Sequence, residues 1–424
     1  MYRDPSVMLH SLVLSLSDSF DMVHPAVVAH HQRVSYASLK MAKCLGMDVG
    51  LQADIMYAAA LHDIGILSFD TKVNHLCFDA DDVDRHAELG ANLLQRFGLF
   101  KRASEFVRYH HVPWDQLSTM DHLDPATRQI ANILRLTDNL DGLIVKGRPI
   151  LGQIRRIRET LQQHKGRLFS PELVECLGDV GSVESFWLDL MSPRIYSLLV
   201  NMIAWPRYSL TLDDLEQLGD IFSKVIDFRS KFTSTHSAGV ASTAVALAGA
   251  FNFEKRERVL MRVAGSLHDL GKVAISNGIL EKPGKLEEDE MLLMKGHTYY
   301  TLQILDSVGG FEDVRYWAAF HHERIDGRGY PFRLKGDDLS LGARIMAVAD
   351  VFTAVAEDRP YRPGMSPERC LGVLNDMVAS RALDGDVVAK LAQNFDAVNE
   401  VRRQAQAEHM FQYEQRFVDN CRPN

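Results

Sequence analysis

Phe320–Pro331 reads FHHERIDGRGYP, and it follows HDLGK at His268–Lys272. Adjacent histidines are good metal ligands. A glycine-rich stretch lets the backbone approach a phosphate, and arginine forks can clamp one. The HD pair adds an imidazole and a carboxylate side by side. A carboxylate can bridge two cations, while each imidazole binds one. A metal cluster beside such a loop is built for phosphoester chemistry.

The same ligand ladder occurs earlier in the chain. Ten of the 17 histidines align between the two halves. His30 to His62 and His236 to His268 are both 32 residues apart; His86 to His110 and His297 to His321 are both 24 apart. Each half then has a histidine pair, His110–His111 and His321–His322, and a late aspartate, Asp138 and Asp350, lying 27 and 28 residues after the pair. The offset lies between HD and the next histidine, 24 residues against 29, in a stretch with Pro283 and Gly284 where insertions are tolerated. The chain reads as a tandem repeat of one module.

The modules are predicted to be helical. Gln52–Leu61, Arg256–Leu267 and Ala343–Ala349 are rich in Ala, Leu and Met, with apolar residues at three- and four-residue spacing. Alternating strand patterns are scarce. Asp213–Asp214 opens a helix, and Pro206–Leu212 serves as linker. The expected architecture is all-α, two tandem helical bundles: residues 1–205, residues 206–400, and a helical tail over 401–424.

Composition bounds the function classes. The 424 residues suffice for two or three cored domains, and 46% hydrophobic with 24% charged residues is ordinary for a globular protein. No apolar run reaches the roughly 18 residues of a membrane span. The N-terminus has neither a strong basic lead nor a clear cleavage site, so no signal peptide is expected. Five cysteines without CxxC spacing fit reduced thiols in a cytoplasmic protein. A net charge of −9 argues against binding a DNA or RNA polymer, though not against a small anion.

From about Thr235 to Arg362 the chain resembles the HD-GYP branch of the HD phosphohydrolase superfamily. The matched blocks are HDLGK, ILEKPGKL (Ile279–Leu286), HHERIDGRGYP, RIMAVAD ending at Asp350, and RPYR (Arg359–Arg362). The resemblance implies two tandem HD-type bundles and a metal-dependent enzyme that linearises a cyclic dinucleotide, cyclic di-GMP or 3',3'-cyclic GMP-AMP. The rival readings are a catalytically silent dinucleotide-binding signalling protein and a hydrolase of other nucleotides. A second copy of the chain or a signalling protein is the further partner considered.

In the second half, His236, His268, Asp269 and Asp350 are assigned to one metal, and Asp269, His297, His321 and His322 to another. A mixed N/O set without Cys suits iron or manganese. The resemblance places Lys272 near the scissile phosphate, gives Arg324, Gly327, Gly329 and Tyr330 to substrate positioning, and gives Arg359 and Arg362 to the dinucleotide phosphates. There are two departures from the family. Phe232 stands where some members carry a third-metal Glu. Thr353, expected to contact substrate, stands where many have Asp, which puts base or ribose recognition, and so the substrate preference, in question. The first half keeps His30, His62, Asp63, His86, His110, His111 and Asp138, but Ile66 replaces the Lys and VPWDQL replaces the glycine-rich loop. A metal site without cyclic-dinucleotide hydrolysis is expected there.

Overall fold

A computed structural model of the chain describes residues 7–21, 28–65, 83–205, 208, 210–227, 235–282, 284–358 and 363–413. The all-α expectation is borne out: no strand occurs among the described residues, and Lys165 pairs with Phe169 in an isolated bridge. The chain divides into two compact units, Met8–Tyr208 and the part from Ser209 onward. Of the expected linker, Pro206, Arg207 and Ser209 lie outside the described residues.

In the first unit the site rests on α1 (Leu9–Asp21), α2 (His30–Cys44), α3 (Val49–Leu61), α4 (Val83–Leu94), α5 (Lys101–Arg108) and α6 (Pro125–Gly142). In the second the counterparts are α7 (Leu212–Asp227), α8 (His236–Ala250), α9 (Lys255–Leu267), α10 (Glu288–Asp306), α11 (Glu312–Ala319) and α12 (Leu341–Ala356), followed by α13 (Phe395–Tyr413). Residues 401–413 of the expected tail are part of α13, which packs on α8; residues 414–424 lie outside the described residues.

Local chemistry sets the helix starts. Asp48 caps α3 by accepting from Leu51 N–H, and Asp124 caps α6 just ahead of Pro125. Glu254 and Glu257 form a capping box at α9, and Ser340 caps α12. Helix α8 packs on α9, and Val240, Ala244 and Leu247 of α8 and Leu260, Met261 and Ala264 of α9 are each at most 2% exposed. Burying side chains the size of Val or Leu contributes about 1.5–3 kcal/mol each.

One glycine per module brings the ladder together. A Cβ on Gly271 would sit 1.9 Å from the His297 carbonyl oxygen, and one on Gly65 would sit 2.1 Å from that of His86. Each follows its HD histidine by three residues. Only a residue without a side chain lets the HD turn lie against the helix that carries the next ligand.

Candidate metal centres

The second unit gathers its ligands from helix ends and from the inner faces of two helices. His236 is the first residue of α8; His268 and Asp269 follow α9; His297 lies within α10; His321 and His322 follow α11; Asp350 lies within α12. Asp269 is the hub. Its Oδ2 is 3.3 Å from His268 Nε2, and its Oδ1 is 3.4 Å from His297 Nε2 and 4.0 Å from His321 Nε2. Asp350 Oδ1 is 3.1 Å from His236 Nε2 and 3.9 Å from His268 Nε2, while its Oδ2 is 3.9 Å from His322 Nδ1. The structure thus brings all seven expected residues together. His268 Nε2 is buried and makes no hydrogen bond, as fits a nitrogen aimed at a cation. The convergence of imidazoles and carboxylates fits divalent metal.

The other ring nitrogens fix these orientations. Nδ1 of His268, His297 and His321 donates to the carbonyl three residues back, of Gly265, Met294 and Ala318, at 2.8, 2.7 and 2.6 Å. Each of these contacts turns Nε2 toward the centre. Burial pushes His297 down to about 3 and His321 well below the ordinary range, so both are neutral and ready to ligate. Burial acts against charge on Asp269, but His268 and Lys272 outweigh it and hold the carboxyl well below its usual range. Lys272 Nζ donates to Asp269 Oδ2 at 2.6 Å.

His236 is held differently, by a residue that sequence reading missed. Its Nδ1 lies 3.2 Å from both carboxylate oxygens of Glu357, and Gln406 Nε2 of α13 donates to Glu357 Oε2 at 2.9 Å. In the first unit the corresponding partner is Asp141, whose Oδ2 is 2.7 Å from His30 Nδ1 and which also pairs with Arg33 through Nε and Nη2. The positions that match Arg33 and Asp141 by spacing are Gly239 and Thr353. A Cβ on Gly239 would meet Thr353 Cγ2 at 2.8 Å and Gln406 Nε2 at 2.9 Å. The carboxylate has moved one turn along α12, and the space of the arginine is filled from α13. Thr353 is fully buried, with Oγ1 3.5 Å from Thr243 Oγ1. The expectation that Thr353 contacts substrate is corrected: its side chain faces α8.

Two outcomes follow for the second unit. With Asp63→Ala present to silence the first unit, Glu357→Ala should lower Mn²⁺ affinity by about 10–100-fold, the usual range for an outer carboxylate. Adding Gly239→Arg and Thr353→Asp, which rebuilds the Arg33–Asp141 pair, should recover part of it; metal titration reads both. The second outcome is proton release. Burial opposes charge on His236, yet Glu357 and Asp350 push it up to about 10. At neutral pH the metal-free ring holds a proton that a ligand must give up. Uptake should therefore release about one proton from this ring and strengthen as pH rises. Calorimetry in buffers of different ionisation enthalpy measures this; an absence of buffer dependence contradicts it.

The loop after the histidine pair is self-bracing. Glu323 is buried and its carboxylate accepts the N–H groups of Phe332 at 2.7 Å and Leu334 at 3.0 Å. Arg324 forks onto Asp326 at 3.0 and 2.7 Å. Gly327 has φ +76°, and a Cβ on Gly329 would lie 2.4 Å from Glu323 Cα. The Tyr330 ring is 4.9 Å from that of His322, and Lys295 Nζ lies over the Tyr330 ring, 5.5 Å from its centroid. Gly327, Gly329 and Arg324 shape the loop, and Tyr330 sits against the metal ligands. Arg359, Arg362, Phe232 and Ile66 lie outside the described residues.

The first unit repeats the cluster. His30 Nε2 is 3.4 Å from His62 Nε2, 3.7 Å from Asp63 Oδ2 and 3.6 Å from Asp138 Oδ1. His86 Nε2 is 3.4 Å from Asp63 Oδ1 and 3.0 Å from His111 Nε2. His62 and His110 donate Nδ1 to Ala59 and Val107 carbonyls at 2.8 and 2.6 Å, and the buried His110 Nε2 makes no hydrogen bond. All seven residues expected here converge.

With two such clusters on helical bundles, the molecule is a tandem HD-domain protein. Residues 28–143 and 220–387 each match the HD domain family, and the chain belongs to the HD-GYP branch of the HD phosphohydrolases. It is 28% identical over 401 residues, 92% of each chain, to 3'3'-cGAMP-specific phosphodiesterase 1 of Vibrio cholerae. It is 35% identical to phosphodiesterase 3 of that organism over 240 residues, 55% of this chain and 52% of that one. A cyclic di-GMP phosphodiesterase response regulator of Xanthomonas campestris is 39% identical over 36% of this chain and 41% of its own. The crystal structure of a cyclic GMP-AMP-specific phosphodiesterase of V. cholerae shares the fold, with a TM-score of 0.65 at 22% identity over 92% of this chain and 98% of that one.

Proposed function

We propose that the chain is a phosphodiesterase that opens a cyclic dinucleotide second messenger to a linear product, with the chemistry in the second module. The observation that carries this is Asp269, which faces histidines of both metal positions through its two oxygens and holds Lys272 beside them. Of the two substrates, cyclic di-GMP and 3',3'-cyclic GMP-AMP, the second is favoured by similarity along nearly the whole length to a relative named as specific for it.

Bound divalent ions would lower the pKa of water and polarise the phosphoryl oxygens. His236, His268, Asp269 and Asp350 would hold one ion, and Asp269, His297, His321 and His322 the other. Iron or manganese suits this N/O set. Two ions are proposed rather than three, since Phe232 offers no donor. Lys272 stabilises negative charge developing on the phosphate. Tyr330 and the loop of Gly327 and Gly329 position the dinucleotide, with Arg324 bracing the loop and Arg359 and Arg362 on the phosphates. The first module holds metal and is regulatory or structural. No helix among the described residues is long and apolar enough to cross a membrane, in keeping with action on a cytoplasmic messenger.

The test is product analysis by mass spectrometry, with Mn²⁺- or Fe²⁺-loaded protein offered each cyclic dinucleotide. Linear dinucleotide or mononucleotide from 3',3'-cyclic GMP-AMP is the expected result. Tight binding without product from any of them would make the chain a silent receptor.

A further inference from the structure

The first module carries an imidazole that the second lacks. His31 follows His30 on α2, and its counterpart on α8 is Ser237. Both positions are held by an aspartate ten residues earlier, at the end of the preceding helix. Asp227 accepts from Ser237 Oγ at 2.7 Å; Asp21 accepts from His31 Nδ1 at 2.6 Å and from its backbone N–H at 3.4 Å. The scaffold is the same, and the side chain decides the outcome. The serine hydroxyl is directed at its aspartate. The histidine has a second nitrogen, and Asp21 turns it inward: Nε2 lies 3.8 Å from Asp63 Oδ2. His31 is buried, and His30, His31, His62 and Asp63 each bring a donor atom within 4.8 Å of one another.

We infer that His31 is an additional protein ligand to the metal position formed by His30, His62, Asp63 and Asp138, and that it closes this position to substrate. The inference rests on the reading that the first module binds metal. Four protein donors, as at His236, His268, Asp269 and Asp350, would leave room on the ion for water and a substrate oxygen. A fifth donor removes the latter. Catalytic metal sites keep an open position and structural ones do not. The third imidazole also shifts preference from magnesium or manganese toward later first-row ions such as cobalt or iron. The first module thus departs from its twin by gaining a ligand as well as by losing the loop.

The test uses the full chain with Asp269→Ala and His297→Ala, which disable the second module, titrated with Co²⁺ at neutral pH. His31→Ser copies the residue this scaffold already accepts at Ser237. It should lower Co²⁺ affinity by about 10–100-fold or more, since losing a direct ligand costs at least what losing an outer partner does, and it should change the visible Co²⁺ spectrum. Asp21→Asn should cause a smaller loss. Asp63→Ala should empty the module. If Asp63→Ala removes no metal, the first-module metal reading and this inference fall together. If Asp63→Ala empties the module while His31→Ser leaves affinity and spectrum unchanged, the metal reading stands and the role of His31 is overturned.

Discussion

Asp269→Ala is expected to abolish hydrolysis and to strip metal from the second module. The carboxylate is buried, and its oxygens point two ways, Oδ2 toward His268 and Oδ1 toward His297 and His321. No neighbouring side chain can take over both directions, so both metal positions lose a donor at once. Metal activation supplies several kcal/mol of transition-state stabilisation, and each 1.36 kcal/mol is tenfold, so a fall on the order of 10⁴-fold is expected. Lys272→Ala separates charge placement from metal holding. Its loss should slow turnover on the order of 100-fold, as for one preorganised charge stabiliser, with a much smaller change in bound metal. Turnover and metal analysis on the same samples check both. Full activity in Asp269→Ala would sink the mechanism.

The ligand ladder was legible in the sequence because its information is local: residue type plus spacing, written twice. HD turns, histidine pairs and late aspartates each fall at a helix end or on one helix face, so periodicity alone orders them. The outer partners were not legible. Glu357 is 121 residues from His236, and Gln406 is 49 from Glu357; only packing joins them. Thr353 shows the reverse error. A polar residue one turn after a ligand reads as facing the site. At that position α12 instead meets α8, where Asp141 of the other module reaches His30. His31 is not legible from the spacing of shared histidines, because Ser237 stands at the corresponding position of the second half. The helical tail was set apart by composition, while α13 is continuous from Phe395 and delivers Gln406 to the site.

The second expected result concerns the division of labour. Asp63→Ala should leave cyclic-dinucleotide hydrolysis within about tenfold of the parent, while Asp269→Ala removes it. Both modules have a hub aspartate between two histidine groups, buried at Asp269 and half-buried at Asp63, so metal alone does not tell them apart. What differs is the surroundings. Lys272 donates to the second hub, and the first module has Ile66 in its place. After His321–His322 comes a turn opened by Gly327 and Gly329. After His110–His111 the chain instead enters a short helix, Trp114–Leu117, whose Trp114 and Asp115 N–H groups donate to the carbonyls of Leu168 and Arg167 at 3.2 and 2.9 Å. That segment is tied down and carries no arginine to grip a phosphate. Turnover requires charge placed at the phosphate as well as activated water, and among the described residues a lysine paired with the hub aspartate is found in the second module. Circular dichroism establishes that each variant folds, and product formation decides. Loss of hydrolysis in a folded Asp63→Ala protein, with hydrolysis kept in Asp269→Ala, would mean that the two modules have exchanged roles.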